Sequence, residues 1–476
     1  MNAENRKLRI VQWTTGKVAR ESVKAMLLRP NLELVGVYAY SKEKVGEDAG
    51  DLCKLGRKLG VNATDDIDAL VALKPDCVVY MPLHPNVEHM CKLLRGGVNI
   101  ATTASFITGR GYGEEARKKL QEAAIAGKAS LFGSGINPGW VDAMTSTAAG
   151  LCREVHMIRI TESFNIGLWA GDANQDELGW NRPNGDAGHA KAVEKATLPF
   201  GDAVEAVAEM FRFKLDDIRC EVEFAHATQD LDIPGRPVKK GNVAGILARW
   251  QGIAGGHPII ELNALWTLSA DIEPNWDIAM AYQIEILGMP DVKMRVEVLP
   301  DLTLPMEQLM TVGVMLPAIP VLNAIPAVVA APPGIVTYAD MKPVTSVFAP
   351  KAMPKWSPAI ASARAPEIPL SQKSSSAATP VEGKWNVTVK GPTGAQATEL
   401  LIERIDGKLS GLQSGQGQSS PLVEISVDGN KIRWVNQVTK PIKMKVEFNG
   451  VIDGATMSGK CKAGFMGSYP FTGNKL

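Results

Sequence analysis

The feature that most limits what this chain can fold into is the spacing of short apolar runs across its first 150 residues. Leu8 to Gln12, Leu34 to Tyr40, Cys77 to Met81, Val98 to Thr102 and Ser130 to Phe132 each read as a buried strand. Amphipathic segments stand between them. Val18 to Leu28 has helical spacing (Val18, Val23, Met26, Leu27), and Ile67 to Leu73, Val87 to Leu94 and Glu114 to Ala126 read as further helices. Apolar strands alternating with helices predict a parallel sheet covered on both faces, the doubly wound α/β architecture. Such sheets bind ligands at the carboxyl ends of their strands.

After about residue 150 the rhythm changes to longer alternating runs: Val155 to Phe164, Ile218 to Ala227, Ile259 to Leu268, Ala279 to Leu287 and Val292 to Val298. Period-2 patterning predicts an antiparallel or mixed sheet with one covered face, an α+β domain over residues 151–308. Gly167 to Gly201 is long for a connection and reads as a lid or binding loop. Leu309 to Tyr338 carries no charge, enough apolar length for a membrane span. Its prolines (Pro317, Pro320, Pro326, Pro332, Pro333) remove backbone donors, which a lone span could not replace in hydrocarbon. The better expectation is no membrane span, with residues 309–350 returning to complete the first domain. Residues 351–382, rich in Ala, Pro, Ser and Lys, read as a linker. Beyond it, residues 383–476 predict an all-β module, a small barrel or sandwich. Its strands stand about ten residues apart around Asp406-Gly407, Asp428-Gly429-Asn430, Asn449-Gly450 and Asp453-Gly454. Several domains are in any case expected of 476 residues.

Lys and Arg number 51 against 51 Asp and Glu, so the chain lacks the cationic excess that coating nucleic acid requires. Six scattered cysteines form no CxxC pair and no zinc spacing, and the start Met1-Asn-Ala-Glu-Asn-Arg-Lys has no apolar signal core. A reducing cytoplasm is the expected location, with no metal.

The first strand-to-helix turn, Val11-Gln-Trp-Thr-Thr-Gly16-Lys17-Val18, would set a pyrophosphate on the helix N-terminus. Only Gly16 remains of a Gly-x-x-Gly-x-x-Gly pattern, with Trp13 and Ala19 at the other positions; an ordinary turn in a fold that binds no nucleotide is the competing reading. At the end of the second strand stand Ser41, Lys42 and Lys44 rather than an acid, which favours a 2′-phosphate and hence NADP over NAD. A solvated lysine pair is the alternative. Met81, Pro82 and His84 lie in the loop after Cys77 to Met81, and Thr103 follows the next strand, all at the ligand-binding edge. Asn137, in Gly133-Ser-Gly-Ile-Asn-Pro-Gly139-Trp140, is a candidate to face substrate, although those glycines also serve simply to turn the chain. Strict alternation puts Glu162 on the same face as Ile158 and Ile160, where a carboxylate must be paired or working. It either binds a substrate ammonium or forms a salt bridge to Arg159 or Arg182.

These segments, together with Gly36-Val-Tyr-Ala-Tyr-Ser-Lys-Glu-Lys-Val-Gly-Glu-Asp-Ala-Gly, Asn99-Ile-Ala-Thr-Thr and Asn323-Ala-Ile-Pro-Ala-Val-Val-Ala-Ala-Pro-Pro-Gly-Ile, resemble the 2,4-diaminopentanoate dehydrogenase and native amine dehydrogenase group, itself similar to the dihydrodipicolinate reductases. The resemblance runs from Arg9 to about Pro350. It implies a Rossmann-type domain, hydride transfer between NAD(P) and an amine or imine carbon, a helix and loop closing over the cofactor near Asn323, and a homodimer. The amine dehydrogenases carry a glutamate just after the fifth strand; here Ala104-Ser105 stand there. The histidine pair and lysine of the dihydrodipicolinate reductases are missing. The terminal module lies outside the family core and resembles a lipocalin-like half. The expected activity is thus an NAD(P)-dependent dehydrogenase or reductase on a small-molecule amine or imine. The alternatives are a C–O oxidoreductase on a hydroxylated apolar substrate and a non-catalytic ligand-binding Rossmann protein.

Overall fold

The computed structural model describes residues 6–169, 173–298, 306–346, 381–391, 394–405, 408–415, 418–438, 444–464 and 467–476. The expected linker therefore lies almost wholly outside the described residues, as do Asp406 and Gly407. The chain forms two compact units, residues 1–345 and, but for Phe465–Gly467, the remainder.

The first unit begins β1 (Leu8–Trp13), α1 (Lys17–Leu27), β2 (Leu32–Tyr38), α2 (Ala49–Leu52), β3 (Ala63–Thr64), α3 (Ile67–Ala72), β4 (Cys77–Tyr80), α4 (Val87–Arg95), β5 (Asn99–Thr102), α5 (Glu114–Gly127) and β6 (Ser130–Gly133). It continues with α6 (Trp140–Ala149), β7 (Glu154–Asn165), α7 (His189–Ala196), α8 (Leu198–Met210), β8 (Asp217–Ala227), β9 (Val243–Ala254), β10 (His257–Thr267), β11 (Ile272–Glu273), β12 (Ala281–Met289) and β13 (Val292–Val296). The chain then returns through α9 (Met306–Met315), α10 (Ala318–Val329) and β14 (Gly334–Val336).

The first sheet is parallel throughout, in the order β14-β6-β5-β4-β1-β2-β3. Alternation within β1 shows why both faces are buried. Ile10 packs with Val23 and Met26 of α1 and with Val321, Leu322 and Ile325 of α10, while Val11 packs with Leu70, Met90, Leu93 and Leu120 on the other side. The uncharged segment thus supplies a core helix. Thr311–Val329 is long and apolar enough to cross a membrane by length and composition, yet Ala318, Val321, Leu322, Ile325 and Val328 are buried in this domain.

The second sheet is mixed, in the order β11-β8-β9-β10-β7-β12-β13, with β7 and β10 parallel. One face is apolar and packs α6, α7 and α8. The other carries ion pairs, Arg159 with Glu261 at 2.7 Å and with Glu285 at 3.1 Å. Strand β9 escaped the period-2 reading because small residues interrupt it. A Cβ on Gly252 would lie 2.8 Å from Val204 of α8, so glycine there lets the helix approach the sheet. The supposed long connection Gly167 to Gly201 in fact contains α7 and the first turn of α8, with residues 170–172 outside the described set.

The second unit is a closed antiparallel barrel of β15 (Gly383–Gly391), β16 (Gly394–Ile405), β17 (Lys408–Gly415), β18 (Gln418–Asp428), β19 (Lys431–Val438), β20 (Met444–Asp453), β21 (Thr456–Ala463) and β22 (Ser468–Lys475). Pairing of β22 with β15 removes the sheet edges. Trp385, Trp434, Phe448 and Phe471 fill it, with Trp434 stacked on Phe448 at 4.4 Å. Gly429 and Gly454 turn hairpins at positive φ, as expected. Asn449-Gly450 does not turn: it lies inside β20, where a Cβ on Gly450 would come 2.7 Å from the Phe471 ring.

Candidate active site at the carboxyl edge of the first sheet

Gly16 is the N-cap of α1 and makes no side-chain cap, leaving the first-turn N–H groups without a protein acceptor on that residue. Its φ of −70° is open to any residue, and a Cβ there would meet nothing within 4 Å. The protein's own packing therefore gives no reason for glycine, whereas close approach of a phosphate does. Trp13, standing where a glycine was expected, turns its ring onto Tyr38 of β2, stacked at 3.8 Å, and leaves the turn open. Ala19 is buried against the sheet, a small residue where helix and sheet pack closely. Thr14, at φ 74°, is fixed by its Oγ1 donating to the Met81 carbonyl at 3.1 Å. The turn thus fits a dinucleotide pyrophosphate, with Gly16, Lys17 and Val18 leading the helix.

The other expected cofactor residues are distributed along the same edge. Ser41, Lys42 and Lys44 form a turn after β2, Lys42 exposed and the other two partly buried. Met81 is buried, Pro82 and Thr103 are partly buried, and His84 is exposed on its loop. No hydrogen bond among the described residues links His84 to the cluster described next. Asn323 is a correction. Its Oδ1 accepts a 2.7 Å hydrogen bond from Arg29, just past the C-terminal end of α1, so it ties α10 to the end of the helix opposite Gly16.

Opposite the nucleotide turn, the loop after β6 and strand β7 of the second sheet converge. Glu162 lies in β7, partly buried, and both its oxygens are held. Asn137 Nδ2 donates to Oε2 at 3.1 Å and Trp266 Nε1 to Oε1 at 3.0 Å. Neither arginine considered as a partner reaches it, since Arg159 pairs with Glu261 and Glu285, and Arg182 with Asp186. Burial pushes the Glu162 carboxyl up to about 7, against the lowering effect of the two donors.

A second carboxylate stands beside it. Asp142, in the first turn of α6, is buried and accepts from the Gly139 N–H at 2.7 Å through Oδ2. Burial, with a further contribution from the Glu162 charge, pushes it up to about 7. Gly139 is required here: at φ 128° an added Cβ would meet Ser134 Oγ at 2.4 Å and Gly135 N at 2.8 Å. Ser134 Oγ in turn lies 2.9 Å from Tyr338 Oη. Sequence reasoning missed Asp142, although it is the one charge in the helix Trp140-Val-Asp-Ala-Met-Thr-Ser-Thr-Ala-Ala. It missed Trp266 because a donor two strands away leaves no local signal.

The domains are also clamped by Asp202 of α8. Its carboxylate accepts from the N–H groups of Ile107, Thr108, Gly109 and Gly111, in the loop that begins at Ala104-Ser105. Among the described residues no group of three or more His, Cys, Asp or Glu is placed to hold a metal, and all six cysteines are free.

A doubly wound sheet with an open glycine turn, facing a carboxylate delivered by a second, mixed-sheet domain, is the plan of a two-domain Rossmann dehydrogenase. Residues 141–353 match the 2,4-diaminopentanoate dehydrogenase C-terminal domain. An amine dehydrogenase of Streptomyces virginiae is 29% identical over 304 residues, covering 60% of this chain and 84% of that protein. The 4-hydroxy-tetrahydrodipicolinate reductase of Trichormus variabilis is 39% identical over 62 residues, 13% of this chain and 22% of that enzyme. The amine dehydrogenase structure from Mycobacterium smegmatis shares the fold at 20% identity and TM-score 0.58, spanning 72% of this chain and 98% of that one. The chain belongs to the 2,4-diaminopentanoate dehydrogenase and amine dehydrogenase family of oxidoreductases.

Proposed function

We propose that this protein is a nicotinamide-dependent dehydrogenase, with NADP preferred, that moves a hydride between cofactor and the carbon of a C–N bond. The observation that carries the reading is Glu162. It is a carboxylate at the nucleotide edge held by two neutral donors, with no cation among its described partners. Buried carboxylates are normally paired, and a substrate ammonium supplies the missing charge. Bound nicotinamide accepts the hydride from the substrate carbon in deamination and returns it in the reverse reaction. Glu162 takes a proton from the ammonium, which frees the nitrogen lone pair to form the C=N bond as the hydride leaves. Its raised proton affinity suits that exchange near neutral pH. Asn137 and Trp266 hold both oxygens, so the carboxylate is oriented before substrate arrives.

Ala104-Ser105 in place of the family's acid favours a second reading, oxidation of a C–O bond, for which Ser134 and Tyr338 offer the hydroxyl pair. Thermal shift with NADPH, NADP, NADH and NAD added separately tests the cofactor. At ~100 times its dissociation constant a ligand contributes ~2.7 kcal/mol of apparent stability. No shift with any of the four overturns the dehydrogenase reading. Once a cofactor is found, turnover with a panel of matched amines and alcohols separates the two chemistries.

A further inference from the structure

The cluster behind Glu162 contains more acceptors than donors. Asp142 Oδ1 and Asn137 Oδ1 are both buried and find no hydrogen-bond partner in the protein. Asn137 cannot relieve this by turning its amide, because its Nδ2 is committed to Glu162. Asp142 uses its other oxygen on the Gly139 N–H. The groups facing the pair from neighbouring elements add no cation. Ser134 and Tyr338 bond to each other, and Tyr282 of β12 stands in register with Glu162. Orphaned buried acceptors are costly, and such a set calls for a ligand with several N–H donors and a positive charge.

We propose that Asp142 and Glu162 form a coupled acid pair that, with Asn137 Oδ1, makes a receptor for one primary ammonium group. The inference rests on the C–N reading above and extends it: Asp142 is a second binding residue, and the substrate class is a primary rather than a fully alkylated amine. Two carboxyls this close share a proton, so their titrations belong to the pair. The free site holds about one proton near neutral pH, and an arriving ammonium displaces it. Both buried acids match that behaviour, each lying near 7.

The test is a carbon-13 NMR titration of the full chain labelled at the Asp and Glu side-chain carboxyls, without cofactor or turnover. Two carboxyls are expected to titrate near neutrality. Asp142→Asn should abolish one and lower the midpoint of the other by ~1 pH unit or more. Glu162→Gln should do the same from the opposite side, which keeps the test open if one variant folds poorly. Adding methylammonium should move both midpoints down, whereas tetramethylammonium and methanol should leave them in place. A midpoint unmoved by loss of its neighbour, or a response to methanol equal to that of methylammonium, overturns the proposal. A cofactor thermal shift without coupled titration leaves the dehydrogenase reading standing and removes the pair; coupled titration without any cofactor shift does the reverse.

Discussion

Asp202 Oδ1 accepts a 2.6 Å hydrogen bond from the Gly111 N–H, and its other oxygen serves three more backbone donors of the same loop. One buried side chain of α8 thereby fixes the loop after β5, where the family keeps its amine-handling acid. Asp202→Ala leaves four amides without their acceptor. The expected cost is about 3 kcal/mol or more in denaturant unfolding, and Asp202→Asn, which keeps one accepting oxygen, should lose less.

Gly16→Val separates cofactor binding from folding. Since an added Cβ meets no protein atom, stability should stay within about 0.5 kcal/mol. Affinity for the dinucleotide, read by fluorescence titration, should fall at least about tenfold, because the branched side chain occupies the approach to the helix N-terminus.

Lys42→Glu and Lys44→Glu test the cofactor preference. Each should weaken NADP(H) binding by about tenfold while leaving NAD(H) within a factor of two or so, because only the former carries the 2′-phosphate. Equal losses for both cofactors would assign the lysines to general electrostatics.

Trp266→Phe removes one of the two donors that hold Glu162 down. The acid limb of the pH–rate profile should then move upward, by roughly half to one unit, with KM changed less than kcat. A profile that keeps its midpoint would detach Glu162 from the rate-limiting proton transfer.

Stability should also depend on pH through the same acids. Asp142 and Glu162 bind protons more tightly folded than unfolded, each near 7 against an ordinary carboxyl value near ~4. The native state therefore holds more protons between these limits, and stability declines as pH rises from about 4 through 7. Asp142→Asn should flatten that slope in a Tm series, although it also alters packing around Gly139.

The strands and helices of the first sheet were legible because each apolar run is buried on both faces, which writes itself into composition. Glu162 was legible for a related reason: alternation with Ile158 and Ile160 marks a charge on a covered face. Strand β9 was not, because its glycines exist for α8 and Trp276 rather than for the strand. Asn449-Gly450 mimics a turn for the same reason, close approach of Phe471. Asn323 sits in the most distinctive run of the chain, yet its partner Arg29 is 294 residues away, and no local pattern reveals a contact of that separation. Asp142 was hidden by its neighbour, since the glycine and proline turn before it drew the reading toward Asn137.

The return of the chain through α10 and β14 has a consequence for how the protein is made. The nucleotide domain closes its sheet only when Val336 has been synthesised, and until then Ile10, Val23 and Met26 lack the helix that covers them. A fragment ending at residue 150 should therefore expose an apolar face and aggregate, despite holding every residue of the nucleotide turn. Residues 1–345 are the shortest piece expected to survive alone. On the ribosome, the nascent first domain must wait, incomplete, while the entire second sheet is laid down.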